Sequence, residues 1–130
     1  INRARLALKL DDPMRAHALA TTAAAFAERL GNGPMGADAV CLLGAVARSE
    51  GRHFESERYL DEALRRSAAG QAPLAEAETW EEIGQLRLDM GREDEAVEAL
   101  RQARRCWLAL GAEKEAERLE QALRAGAVAR

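Results

Sequence analysis

At 130 residues the chain is the size of one domain, or of one piece of a longer array. Hydrophobic residues make up 48 % of it but aromatics only 4 %, so alanine carries much of the apolar content and the core is thin and closely spaced, as in helices packed through small side chains. A net charge of −3 with 32 % charged residues gives a mixed, soluble surface without the clustered Lys and Arg excess that a nucleic-acid partner requires. No apolar run reaches the roughly 18 residues of a bilayer-spanning helix, and no charged-then-apolar leader is visible. The chain opens at Ile1 without a methionine, as an excerpt or a processed fragment does. Cys41 and Cys106 lie far apart with no C-x-x-C, which reads as reduced, buried thiols in a cytoplasmic protein ahead of a disulfide or a metal pair.

Residues 1–10 read as a helix. A second helix is expected over 13–30, opened by Asp12 as N-cap and Pro13 in the first turn, and alanine-rich along its length. Next comes GNGPMG, Gly31 to Gly36, which fits the dinucleotide-binding pattern G-x-G-x-x-G. A phosphate cradle needs a buried strand before it and an acidic residue about 20 residues on. Here the preceding run is poor in β-branched residues and helical, so Gly31, Asn32, Gly33 and Pro34 are a helix stop followed by a turn.

From there the pattern is helix, glycine, helix, twice. A helix over 36–49 carries Val40, Leu43 and Ala47 at helical spacing and ends at Gly51; its partner over 53–68 carries Ser56, Leu60 and Ala63. A helix over 74–89 carries Trp80, Ile83 and Leu86 and ends at Gly91; its partner over 93–109 carries Ala96, Leu100 and Ala103. The chain slid by 40 residues makes the two pairs coincide: Gly44 on Gly84, Gly51 on Gly91, Arg52 on Arg92, Leu60 on Leu100, Ala63 on Ala103. The same shift aligns Gly31, Gln71 and Gly111, so the glycine motif is the connection between units of a repeat. A mid-helix glycine costs about 1 kcal/mol relative to alanine. Finding one twice at the same phase predicts partner helices crossing too closely for a Cβ, with the small residues of the second helix meeting the glycine. A last helix over 112–126 places Ala116, Leu119 and Leu123 on one stripe among charged residues, as a segment sealing a stack must.

Trp80, Ile83-Gly84, Ala96, Leu100 and Ala103 resemble the signature of the tetratricopeptide repeat, and Val40, Leu43-Gly44, Ser56, Leu60 and Ala63 resemble it more weakly. The usual first-helix tyrosine is replaced by Ala47 and Arg87, the terminal proline is missing, and the unit is longer than the family's roughly 34 residues. Longer units of this kind are similar to those of bacterial signalling and transcription regulators, and the segment WLALGAEKEAERLEQALRAG resembles the last repeat of large multidomain regulators. The resemblance implies an all-α fold: an α-solenoid of antiparallel helix pairs, a right-handed superhelix of about seven helices forming a single domain over 1–130. It divides into a partial repeat over 1–35, repeats over 36–73 and 74–111, and a capping helix over 112–130.

The same resemblance implies a partner-binding concave face lined by the first helix of each pair. Mapped by phase, that face carries Asp38, Cys41, Ala45, Arg48 and Ser49 in one repeat, and Glu78, Glu81, Gln85, Leu88 and Asp89 in the next; Arg5 and Lys9 hold the equivalent phase earlier. The groove is expected to be basic at its amino end and acidic in its last repeat. The Lys/Asn set with which chaperone-binding relatives grip a C-terminal carboxylate is absent, so that activity is not carried over.

Catalysis finds little support. His17 and His53 are surface or boundary residues by position, there is neither H-E-x-x-H nor G-x-S-x-G, and the acids of 93–95 are helix-start residues favoured by the dipole. Trp107 is expected to pack on the capping helix rather than form an exposed patch with Leu108 and Leu110. The expected function is therefore a protein-interaction module binding a peptide or protein in the groove, inside a larger bacterial regulator, with no enzyme activity, no cofactor, no metal, no direct nucleic-acid contact and no membrane contact. A structural spacer or self-associating segment, stacking through exposed repeat ends, is the alternative.

Overall fold

A computed structural model describes residues 12–125 of the chain. They form six helices and no strand: α1 (Pro13–Leu30), α2 (Gly33–Ser49), α3 (His53–Ala69), α4 (Pro73–Asp89), α5 (Glu93–Ala109) and α6 (Glu113–Arg124). The helix expected over 1–10 lies outside the described residues.

The local signals act as their chemistry dictates. Asp12 accepts a hydrogen bond from the Arg15 N–H at 3.2 Å, closing the amino end of α1 with Pro13 in its first turn. α2 differs from expectation. It starts at Gly33 rather than 36, because the Asn32 side chain accepts from the Met35 N–H at 3.0 Å and Pro34 sits in the first turn. The connection is only Gly31 and Asn32, and Gly36 lies buried inside the helix. Glycine takes the left-handed conformation after α1 and after α5, at Gly31 and Gly111, yet at the equivalent place after α3 the residue is Gln71, with φ of 51°.

Each helix packs against its neighbours in sequence, and the pairs α2–α3 and α4–α5 are the closest. Both are built around a glycine notch. A Cβ added to Gly44 would lie 2.6 Å from Leu60 Cδ2, and one added to Gly84 would lie 2.6 Å from Leu100 Cδ2. The close approach expected from the sequence is present, but the group over the glycine is a leucine rather than the small residues at either side. A branched side chain fills the notch, while the small neighbours let the backbones come near. Ser56 adds a polar lock: its hydroxyl donates to the Gly44 carbonyl at 2.8 Å.

The central core joins the two pairs. Val40, Cys41, Leu60, Ala63, Ile83, Leu86 and Ala99 form one buried cluster. A second holds Leu100, Ala103 and Trp107 against Ala116 and Leu119 of α6, so Trp107 does pack on the last helix, while Leu108 and Leu110 stay exposed. Ion pairs tie unit to unit: Arg87 of α4 bridges Glu57 of α3 and Glu95 of α5, and Arg104 of α5 meets Glu120 of α6 at 2.7 Å.

One pair of helices not adjacent in sequence also touches: α2 with α4. The backbones of the second helices, α1, α3 and α5, stay apart, with no Cα of one within 8 Å of a Cα of another. First helices that meet and second helices that spread make an open, curved stack with the first helices on its inner side, which is the geometry of a solenoid and not of a closed bundle.

Candidate partner-binding face

Six of the eight residues expected on the binding face lie on α2 and α4: Asp38, Arg48, Glu78, Glu81, Gln85 and Asp89. Arg5 and Lys9 lie outside the described residues, and the basic amino end expected from them lies there too.

Arg48, in the last turn of α2, crosses to α4. Its Nε lies 3.2 Å from Glu82 Oε1 and its Nη1 lies 3.2 Å from Asp89 Oδ2. The fork geometry of a guanidinium suits two carboxylates about two turns apart on one helical face. Gln85, between them on α4, is exposed. Asp38 and Glu78, near the amino ends of α2 and α4, are half-buried.

Glu81 behaves differently. Its Oε2 accepts the Trp107 indole N–H at 2.5 Å, and both its oxygens lie 3.0 Å from Arg118 Nη2 of α6. With its side chain 20 % exposed, Glu81 fastens α4 to α5 and to the last helix instead of standing open to a ligand. Cys41 and Ala45, mapped to the same face, are buried. α4 packs directly over Cys41, and Ala45 sits in a cluster with Ala20, Leu42 and Leu43. Leu88 is half-buried against the second cluster, which leaves Ser49, Gln85 and Asp89 as the exposed members of the mapped set. Burial pushes the Cys41 thiol far up from its ordinary range, the Glu82 carboxylate adds to this, and a side-chain hydrogen bond with Thr79 opposes it. Such a thiol is inert packing material. Cys106 is half-buried and not fully buried as expected, and its thiol is also raised, by burial and then by Glu76.

The acid expected on α4 is therefore partly answered by cations from its neighbours, Arg48 on one side and Arg118 on the other. Arg118 was not anticipated. Carrying the 40-residue phase one step further, from Asp38 through Glu78, lands on it, and that is the signal which finds it.

Along α2 and α4 the arrangement sets out the Arg48 guanidinium, the Asp89 carboxylate and the exposed Gln85 amide. His17 and His53 stand apart from it on the early turns of α1 and α3, and no cluster of three or more His, Cys, Asp or Glu side chains able to hold a metal ion occurs among the described residues.

No curated protein and no solved structure matches the chain. A family model does: the tetratricopeptide repeat, over residues 37–109. That span takes in both notched helix pairs, from the first turns of α2 to the last residue of α5. On this match and on the recurring Gly–Leu contact, the chain belongs to the tetratricopeptide repeat family.

Proposed function

We propose that the chain is a protein-interaction module of a larger bacterial regulatory protein in the cytoplasm, and that a peptide or partner protein lies along the face formed by α2 and α4. The observation that supports this most is the contact between those two first helices while the second helices spread apart, since it leaves an inner face framed by Arg48, Gln85 and Asp89. Family membership supports the reading as well, because repeats of this kind generally mediate contacts between proteins. Among the described residues no helix is long and apolar enough to cross a membrane. Self-association through stacked ends is disfavoured at the α6 end, where Lys114, Glu117, Gln121 and Arg124 are exposed.

Site-specific photocrosslinking tests the proposal. A photoreactive residue is placed at Gln85 or at Arg101, an exposed position on α5, and the protein is irradiated in an extract of its source. The expected result is a discrete protein adduct from Gln85 and none from Arg101. Adducts from Arg101 alone, or equally from both, would overturn the assignment of the inner face.

A further inference from the structure

The connection between α1 and α2 runs Gly31-Asn32-Gly33, and its asparagine carries a reactivity that the other two inter-unit connections lack. At the same phase of the repeat stand Ala72 before α4 and Ala112 before α6. An asparagine followed by glycine can close a ring on itself. The Gly33 amide nitrogen, once it has lost its proton to base, attacks Asn32 Cγ. A new C–N bond forms, the bond from Cγ to the side-chain nitrogen breaks, and ammonia leaves with a proton taken from water. Water then opens the succinimide ring at one carbonyl to give aspartate, or at the other to give isoaspartate. Over the sequence one water is consumed and one ammonia released. Glycine favours the attack because it brings no Cβ to crowd the nitrogen.

The reactants are in place. Asn32 is exposed to water and to dissolved base. Gly33 is the first residue of α2, so no carbonyl of that helix accepts its N–H. The conformation is what stands in the way. Three hydrogen bonds hold Asn32: its N–H donates to the Ala27 carbonyl at 2.8 Å, its carbonyl accepts the Gly36 N–H at 3.1 Å, and its side chain accepts the Met35 N–H at 3.0 Å. Together they keep ψ at 93°. Ring closure needs the Cα–Cβ bond of Asn32 eclipsed with the bond from its carbonyl carbon to Gly33. At this ψ an L-residue holds the two nearly opposed, and the eclipsing ψ lies outside the main allowed regions. The cap therefore has to open before the ring can close. Pro34, with its φ locked in the first turn, resists that opening.

We propose that Asn32 is a deamidation site silenced by its own capping contacts, so that reaction there is an irreversible mark of openings of the first turn of α2. The site lies in the connection and not on the inner face, and it holds whether or not a peptide occupies that face. Its two products act in opposite directions. Aspartate keeps an oxygen for the Met35 N–H and adds a negative charge at the amino end of α2, where the helix dipole favours it. Isoaspartate carries the main chain through the former side chain, which adds a backbone atom between Asn32 Cα and Gly33 and displaces the groups that hold Met35 and Gly36. That product unfastens the cap and loosens the joint between α1 and α2.

Peptide mapping by mass spectrometry on the full chain tests the proposal. Samples are kept at mildly alkaline pH, folded in buffer or unfolded in urea, and the exchange of amide for carboxylate is followed on the tryptic peptide from Leu30 to Arg48, which contains no other asparagine and no glutamine. The folded chain is expected to react about tenfold or more slowly than the unfolded one. Gly33→Ala is expected to slow the unfolded chain by about tenfold, since its methyl crowds the attacking nitrogen. Pro34→Gly is expected to speed the folded chain several-fold and to leave the unfolded rate unchanged, because it loosens the first turn alone. Equal rates in folded and unfolded chains, or a folded rate that Pro34→Gly does not change, would show that the cap protects nothing. A Gly33→Ala chain that reacts in urea as fast as the unaltered one would rule out the ring.

Discussion

In the pair α2–α3, an added Cβ on Gly44 would meet Leu60 at 2.6 Å; in the pair α4–α5, one on Gly84 would meet Leu100 at 2.6 Å. Forty residues apart, the same contact recurs with the same geometry. Its surroundings do not. Beside the first notch Ser56 donates to the Gly44 carbonyl, while Ala96 stands beside the second with no hydroxyl to give. One turn beyond the glycine, Ala47 is fully buried, whereas its counterpart Arg87 reaches Glu57 and Glu95. The comparison separates what the repeat requires from what each place in the stack permits. A backbone approach too tight for a methyl group is common to both of these pairs. The residue one turn on is free to follow its neighbours: α2 is enclosed by α1, α3 and α4, so its position is filled by a small apolar group, while α4 has carboxylates on both sides and uses a cation.

The sharpest way to break the shared contact is to empty it. Leu100→Ala is expected to lower stability by about 2–5 kcal/mol, because the leucine is 2 % exposed and the cavity cannot fully close. Urea unfolding measures this, and a loss below about 1 kcal/mol would show that the notch does not hold the pair. Gly84→Ala comes next. Helix propensity favours alanine by about 1 kcal/mol, but overpacking against Leu100 costs about 1–3 kcal/mol, so a net loss is expected in the same assay.

The differences between the pairs give smaller effects. Ser56→Ala should cost about 0.5–1.5 kcal/mol, turning the first notch into a copy of the second. If calorimetry finds no change, that hydrogen bond contributes nothing net. Arg87→Met should cost about 1 kcal/mol, since the side chain is 19 % exposed and its removal leaves Glu57 without this cation. The loss should shrink as salt is raised from low to molar concentration. Gln71→Gly reverses the sign: relief of the left-handed conformation should raise stability by about 0.5–1 kcal/mol, seen as a higher melting temperature.

The repeat was legible because its signals are local. Asp12 and Pro13, the glycines ending the helices, the spacing of Val40, Leu43, Ile83 and Leu86, and the polar-sided last helix all act within one or two turns of themselves. The start of α2 was misread by three residues, since Gly33 and Gly36 look like turn residues until the Asn32 cap is seen to close over Met35. The face was legible only in part. Phase alone puts Arg48 and Asp89 on it, and they do meet. Phase alone cannot show that Glu81 is taken by Trp107 and Arg118, because that depends on how α6 docks, nor that α4 lies close enough to α2 to bury Cys41. Contacts between units are long-range, and the sequence of one unit does not specify the distance to the next.

The glycine–leucine notch is best tested by a double-mutant cycle on Gly84 and Leu100, measured by equilibrium urea unfolding. If the two residues occupy the same space, Gly84→Ala destabilises the otherwise unaltered chain but is neutral or stabilising once Leu100→Ala has cleared room for the methyl. Equal destabilisation in both backgrounds would contradict the close approach on which the paired architecture and its inner face depend.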